Sequence, residues 1–82
     1  MRTYILGMRI TTEFYKQPLA KGSVPFSEAS DDFFSLVQAR EIAFLLAAAP
    51  DMRADAVVLE DARGVRLETW LKLDGQWSLA SA

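Results

Sequence analysis

The ten residues WLKLDGQWSL, from Trp70 to Leu79, carry the strongest local folding signal in the chain. Asp74-Gly75 readily adopts the two positive φ angles of a type I′ turn, whose twist matches that of the flanking strands. A two-residue turn fixes the register of the hairpin that it closes. The predicted cross-strand pairs are Leu73 with Gln76, Lys72 with Trp77, Leu71 with Ser78 and Trp70 with Leu79.

This register sorts the side chains of the hairpin into two sets, because cross-strand partners share a face of a sheet. The set with both tryptophans is expected to face away from the helix, accompanied by Arg66 and Glu68; it contains Trp70, Lys72, Trp77 and Leu79. The other set is expected to form the helix-facing core; it contains Val65, Leu67, Leu71 and Leu73.

One further strand precedes the two strands of this hairpin. Apolar runs predict strands over residues 54–60 and 65–73, joined by Asp61-Ala62-Arg63-Gly64, and a last short strand over residues 76–79. The chain after Pro50 is therefore expected to form an antiparallel meander.

An alternation of apolar and polar residues predicts another strand from Thr3 to Thr12. The residues expected on its apolar face are Tyr4, Leu6, Met8 and Ile10. Residues that favour strands continue through Lys16, until Pro18, which can lie only at a sheet edge or end the strand.

Residues 17–30 are predicted to form a loop or an irregular hairpin. The segment contains Pro18, Gly22 and Pro25 among small and polar residues, and only Val24 and Phe26 are candidates for a short second strand. A connection this long is often functional, and the alternative is a mobile linker that covers one edge of the sheet.

One helix is predicted from Ser35 to Ala49, because this stretch lacks Gly and Pro, is rich in Ala and Leu, and ends at Pro50. Ser35 with Gln38 matches a capping box. An earlier start near Ser30 is the alternative, with Asp31-Asp32 facing the positive end of the helix dipole.

Placed at 100° per residue, the helix has a predicted core stripe of Leu36, Ala39, Ile42, Ala43 and Leu46. The opposite face carries Val37, Arg40, Glu41, Phe44 and Ala48. Phe44 is unusual on a face turned to solvent. It is expected either to pack beneath the segment from Pro18 to Phe34 or to belong to a partner surface.

These elements predict an α+β fold in which an antiparallel sheet of four or five strands carries one helix on one face. The chain has 82 residues, which suits a single domain over residues 1–82. A core of this size is modest, so a homodimer interface would add to its stability.

The composition argues against an enzyme. The chain has no His and no Cys, which removes the commonest general base, metal ligand and thiol nucleophile. Adjacent carboxylates at Asp31-Asp32 and Glu60-Asp61 diverge in helices and strands, and are expected to serve capping and a turn. The glycines are isolated, so no phosphate-binding loop is present. We expect no catalytic activity, no cofactor and no metal.

The charge pattern favours a protein or ribonucleoprotein complex as partner. The net charge is -2 and the nine basic residues are spread along the chain, so nonspecific DNA binding is not expected. The N-terminal residues lack the apolar core of a signal peptide, and the apolar run from Leu45 to Ala49 ends at Pro50. We therefore expect a cytoplasmic protein without a membrane segment.

The candidate partner-binding residues are Trp70, Trp77, Lys72, Phe44 and Arg66. Tryptophan supplies a large contact area at little entropic cost and is enriched at binding hot spots. The alternative is that the N-terminal strand, the long loop or another subunit covers this patch. Lys72 between two rings is also placed to make a cation–π contact that organises the hairpin.

A set of spaced residues resembles a known group of proteins. The run consists of Ser35-Leu36-x-Gln38-Ala39-Arg40-x-Ile42-Ala43, Val57-x-Leu59-Glu60, Gly64 and Trp70-x-Lys72-x-Asp74-Gly75-x-Trp77. It resembles small phage and prophage proteins, including anti-CRISPR inhibitors of type I systems. The resemblance implies a capped helix on an antiparallel sheet, and binding to a CRISPR surveillance complex that blocks interference without catalysis.

This chain departs from those inhibitors in two respects. They carry several lysines that engage the guide or the target-DNA path, whereas this chain is slightly acidic, and its segment from Tyr15 to Phe34 has no counterpart. The resemblance therefore supplies no contact residues. The function expected from the sequence is a non-enzymatic inhibitor or adaptor, of anti-CRISPR type in its most specific form. The alternative is a structural homo-oligomer that self-associates through its aromatic sheet face.

Overall fold

The computed structural model describes residues 7–17 and 19–81. Its elements are β1 (Met8–Tyr15), β2 (Ser27–Phe33), α1 (Leu36–Ala48), β3 (Ala56–Glu60), β4 (Arg66–Leu73) and β5 (Gln76–Ser81). The strands form one antiparallel sheet in the order β2-β1-β3-β4-β5, and α1 packs on one face of it. The α+β prediction, with four or five antiparallel strands and one helix, is confirmed.

The hairpin formed by β4 and β5 has the predicted turn and register. Asp74 and Gly75 have φ angles of 51° and 78°, as a type I′ turn requires. Lys72 lies opposite Trp77, and Trp70 lies opposite Leu79. Local turn chemistry therefore determines this part of the fold.

The predicted facing of that hairpin is wrong, because Trp70 and Trp77 lie on the helix side of the sheet. Both pack with Phe44 against the main core, while Leu71 packs on the other face with Tyr15 and Val58. Residues 56–59 of β3 are all apolar and buried on both faces, so the neighbouring strand gives no indication of which face the helix covers. The two large indoles fill the space between α1 and the outer strands.

A β-bulge separates Arg66 from the tryptophans. Glu60 lies opposite Arg66, whereas the preceding residue, Leu59, lies opposite Glu68. Leu67 is the extra residue, and it turns Arg66 to the face away from α1. The prediction that Arg66 accompanies the tryptophans is therefore wrong, and the same prediction for Glu68 is confirmed.

The helix begins as predicted. The amide of Gln38 donates to Ser35 Oγ at 3.2 Å, and Gln38 Oε1 accepts from the amide of Phe34 at 2.8 Å. The bond to Ser35 pairs an amide of the first turn that has no partner within the helix, and the bond from Phe34 reaches one residue before the N-cap, whose own amide a standard capping box would use. The chain then leaves the helix at Ala49, before Pro50.

The rotation of α1 about its axis differs from the prediction. Its buried residues are three alanines four positions apart, Ala39, Ala43 and Ala47. Ile42 and Leu46, predicted to lie in the core, are exposed, while Arg40 and Phe44, predicted to lie on the opposite face of the helix, turn towards the sheet. Small side chains let the helix lie close to β1 and β3, and that closeness outweighs burial of the larger residues.

Asp31 and Asp32 lie in β2 and not at the start of the helix. This strand occupies part of the segment predicted as a loop, and it pairs with β1 from Phe14 opposite Ser27 to Met8 opposite Phe33. Its sequence, SEASDDF, lacks an apolar alternation because most of its side chains are exposed at the edge of the sheet. Pairing with β1 therefore overrides a weak local preference.

Within the described residues, the strand predicted from Thr3 to Thr12 begins at Met8 and continues to Tyr15, and Ile10 and Phe14 on its helix side are fully buried. Tyr4 and Leu6 lie outside the described residues. The loop after β1 covers part of the face away from α1, where Leu19 packs on Tyr15 and Val58.

The turn after β3 is closed by Asp61, as expected for the Glu60-Asp61 pair. Its Oδ1 accepts from the amides of Arg63 and Val65, both at 2.9 Å. These bonds, with the bond from Val65 dominant, hold the pKa of the Asp61 carboxyl below its usual range. Asp61 therefore closes the turn, as the sequence predicts.

The alanine contact gives a test of the helix rotation. Ala47→Leu should lower the free energy of unfolding by about 1–3 kcal/mol, because the added atoms overpack a closed contact. Ala48→Leu, the same change at the exposed neighbouring position, should alter it by less than about 0.5 kcal/mol. Urea unfolding followed by circular dichroism measures both, and equal losses would contradict the assigned rotation.

Candidate interaction surface

Three aromatic side chains join α1 to the last two strands. The Phe44 ring stacks on Trp77 with a centroid distance of 5.0 Å and an interplanar angle of 7°. It meets Trp70 edge-on at 5.2 Å and 83°. All three are half-buried. This aromatic cluster, Phe44, Trp70 and Trp77, therefore fastens the helix to the hairpin as well as presenting part of its area to solvent.

An ion pair beside the aromatic cluster fixes the same contact. Arg40 donates from Nε to Glu68 Oε1 at 2.9 Å and from Nη2 to Oε2 at 2.6 Å, and Trp70 Nε1 donates to Oε1 at 2.8 Å. The guanidinium also lies 5.3 Å from the centre of the Trp70 ring. Bidentate geometry of this kind allows few alternative arrangements.

The ion pair is well hydrogen-bonded despite its burial. The hydrogen bond from Arg40 lowers the pKa of the Glu68 carboxyl, against the opposing effect of burial, and the same bond raises the pKa of Arg40. Since Glu68 is only 6% exposed, losing Arg40 would leave a buried charge without its partner. The pair therefore specifies one docking geometry of α1.

The structure brings together four of the five residues predicted as the binding site. Lys72 lies on the helix side with its Nζ 6.0 Å from the centre of the Trp77 ring, at the outer limit of a cation–π contact. Phe44 packs on both tryptophans and not beneath the loop. Arg66 lies apart from them, on the opposite face.

A second apolar surface, separate from the aromatic cluster, lies on the outside of α1. Phe34, Val37 and Leu45 are 70%, 52% and 69% exposed, and Ile42 and Leu46 are each 40% exposed. We call these five residues the outer helix surface. Sequence reasoning missed it by assigning Ile42 and Leu46 to the core. The spacing of Ala39, Ala43 and Ala47 is the signal that identifies it, since it marks the side of closest approach.

The face away from α1 has a different character. Tyr15 donates from its hydroxyl to Glu13 Oε1 at 3.0 Å, and burial, supported by this bond, raises the pKa of Tyr15 to about 12. Burial and then the charge of Glu13 raise the pKa of Glu60. A cavity of about 380 Å³ lies beneath the loop, lined in part by Tyr15, Lys21 and Arg66.

Residues 7–17 and 19–81 contain no group of three or more His, Cys, Asp or Glu placed to hold a metal ion. Within the same ranges no helix has the length and apolarity needed to cross a membrane. The exposed side of α1 offers apolar contact.

Comparisons of this chain with protein-family models, with curated proteins and with solved structures found no match.

The Arg40–Glu68 pair predicts a pH-dependent stability difference. Glu68→Gln should destabilise the protein most near neutral pH, by about 1–3 kcal/mol, because the charge-assisted bonds to Arg40 are lost. A lowered pKa in the folded state means that the carboxylate contributes stability above its unfolded pKa and loses it as the pH falls through the folded value. The gap between parent and variant should therefore narrow in acid.

Urea unfolding at several pH values measures this gap. Glu41→Gln is the control, since Glu41 is an exposed glutamate on the same helix and should change stability little at any pH. A gap for Glu68→Gln that is constant from neutral to acidic pH would show that the charge of Glu68 contributes nothing.

Tyr15 predicts a high-pH transition. Its neutral phenol is favoured by the fold, so its contribution to stability is complete below pH 10 and is lost as the pH rises towards 12. The difference between ultraviolet titrations of the parent and Tyr15→Phe isolates this ionisation. We expect a midpoint near 12, and a midpoint near 10 would mean that Tyr15 is solvated.

Proposed function

We propose that this protein is a non-enzymatic protein-binding module whose main contact is the outer helix surface. The observation that carries the proposal is that five large apolar side chains on and next to one helix are 40–70% exposed. Monomeric proteins rarely expose contiguous apolar patches of more than a few hundred Å², and larger ones commonly mark interaction sites.

The shape of this surface suits insertion into an apolar groove of a partner. Ile42, Leu45 and Leu46 lie at positions i, i+3 and i+4 of α1, a spacing that helices use when they bind in grooves. Val37 lies two turns before Leu45, and exposed Phe34 precedes the first turn. Glu41 is exposed between Val37 and Leu45, so a partner groove must leave its carboxylate in water or pair it with a basic group.

The residues predicted from sequence enter this proposal in a different role. Phe44, Trp70 and Trp77 hold α1 in place, and their exposed edges would extend the contact on the side of β5. Lys72 lies at that same margin. Arg66 lies on the opposite face, so the proposal gives it no part in the contact through α1.

The most specific form of the proposal is an anti-CRISPR inhibitor that binds a type I surveillance complex in the cytoplasm. The resemblance of residues 35–77 to phage and prophage inhibitors supports this form. An apolar surface on a chain of net charge -2 favours contact with a protein subunit of such a complex over contact with its nucleic acid. The alternative is self-association through the aromatic sheet face. It would have to use the parts of Trp70 and Trp77 that α1 does not cover.

The test is binding and inhibition by a surface variant with a matched control. Val37→Gln with Leu45→Gln removes two apolar anchors from α1 and should weaken binding to a type I complex at least about tenfold. Val65→Gln with Leu73→Gln changes two residues of similar exposure away from α1 and should bind as the parent does. Both should unfold with near-parental midpoints.

Pull-down with purified surveillance complexes and a plasmid-interference assay in cells supply the readouts. A parent that neither binds nor inhibits any type I complex would exclude the anti-CRISPR form. If the Val37 and Leu45 variant bound as tightly as the parent, the outer helix surface would not be the contact.

A further inference from the structure

The two edges of the sheet differ sharply in charge. One edge is β2, which carries Glu28, Asp31 and Asp32, all exposed. The other edge is β5, whose sequence QWSLAS contains no charged residue and no proline. Charged residues on an edge strand oppose pairing with another sheet, and a neutral edge lacks that protection.

The outer side of β5 offers backbone hydrogen-bonding groups. A two-residue turn places Leu73 and Gln76 in a pair that exchanges both backbone bonds, so alternate residues of β5 point their amide and carbonyl groups towards β4. By the same alternation, Trp77 and Leu79 direct theirs outward. Within residues 7–17 and 19–81, no other strand pairs with that side.

The side chains next to this edge are also incompletely buried. Leu79 lies on the helix side of the sheet opposite Trp70 and is 48% exposed, because α1 lies nearer to the other end of the sheet, over β1 and β3. Trp77 beside it is half-buried under Phe44. A strand added along β5 would cover both.

We propose that two copies of this chain pair antiparallel through β5 to form a continuous ten-stranded sheet. A second copy fits this edge better than β2 would, because self-pairing of β2 would bring three carboxylates of each copy together, whereas β5 brings none. The two-fold axis keeps both helices on the same face of the sheet.

One register satisfies both the backbone and the side chains. Centring the pair on Ser78 places Trp77 of each copy opposite Leu79 of the other, so the outward-pointing groups of both residues form four hydrogen bonds. Each Trp77–Leu79 pair is an aromatic–aliphatic contact on the helix side. Ser78 meets its own copy on the other face, where its small side chain is exposed.

Lysine substitution tests the edge. Ser78→Lys places two like charges opposite each other at the axis and should raise the dimer dissociation constant at least about tenfold. Ala29→Lys makes the corresponding change at an exposed position of β2 and should leave the dimer intact. Light scattering over a wide concentration range measures the mass, and circular dichroism confirms that each variant is folded.

Cysteine substitution tests the register, because the parent contains no cysteine. At the axis of a non-hydrogen-bonded pair the Cα atoms lie about 4.5 Å apart, within the range that a disulfide spans, so Ser78→Cys should oxidise to a covalent dimer. Ala29→Cys should cross-link far less. A parent that stays monomeric at all concentrations, or a Ser78→Lys variant as dimeric as Ala29→Lys, would overturn the proposal.

Discussion

The close approach of α1 to the sheet through Ala39, Ala43 and Ala47 is the constraint on which the other features depend. Side chains this small bring the helix backbone towards β1 and β3, and the helix can achieve that only in one rotation about its axis. This rotation determines the direction in which every other side chain of α1 points. Phe44 and Arg40 point towards the last two strands, and Val37 and Leu45 point to solvent. Leucines at the three alanine positions would hold the helix further from the sheet, and this rotation would then no longer be favoured by close packing.

The contacts of Phe44 and Arg40 add specificity to this arrangement. Burying Glu68 is costly, and the bidentate bond from Arg40 with the bond from Trp70 offsets that cost only when all three groups are aligned. The stacked ring of Phe44 tolerates more movement, because dispersion contacts are weakly directional. The hydrogen-bonded network of Arg40, Glu68 and Trp70 therefore discriminates between rotations of α1, and the aromatic cluster packs against the core on the same side.

Local chemistry was sufficient to predict the Asp74-Gly75 hairpin, its register and the helix cap at Ser35, since each depends on a few adjacent residues. The features that sequence reasoning placed wrongly all depend on distant partners. An edge strand such as β2 needs no alternation of apolar residues, so its sequence did not predict a strand. The face covered by the helix was misassigned because β3 is apolar on both sides, and the bulge at Leu67 moved Arg66 without any local signal. The clustering of the tryptophans was predicted correctly, although the helix that covers them was not.

The order of the strands has a consequence for how the chain folds. β3, β4 and β5 follow one another as hairpins, so their contacts form between residues close in sequence, whereas β1 pairs with β3 from Tyr15 opposite Ala56 to Thr11 opposite Glu60. Pairing β1 with β3 closes a loop that contains β2 and the whole of α1. This closure costs conformational entropy before the stabilising contacts between the two strands have formed. We therefore expect the meander to form first and β1 to join it later. Until β1 pairs with it, β3 leaves an open edge on which Glu60 is the single charged residue, and an open apolar edge favours aggregation.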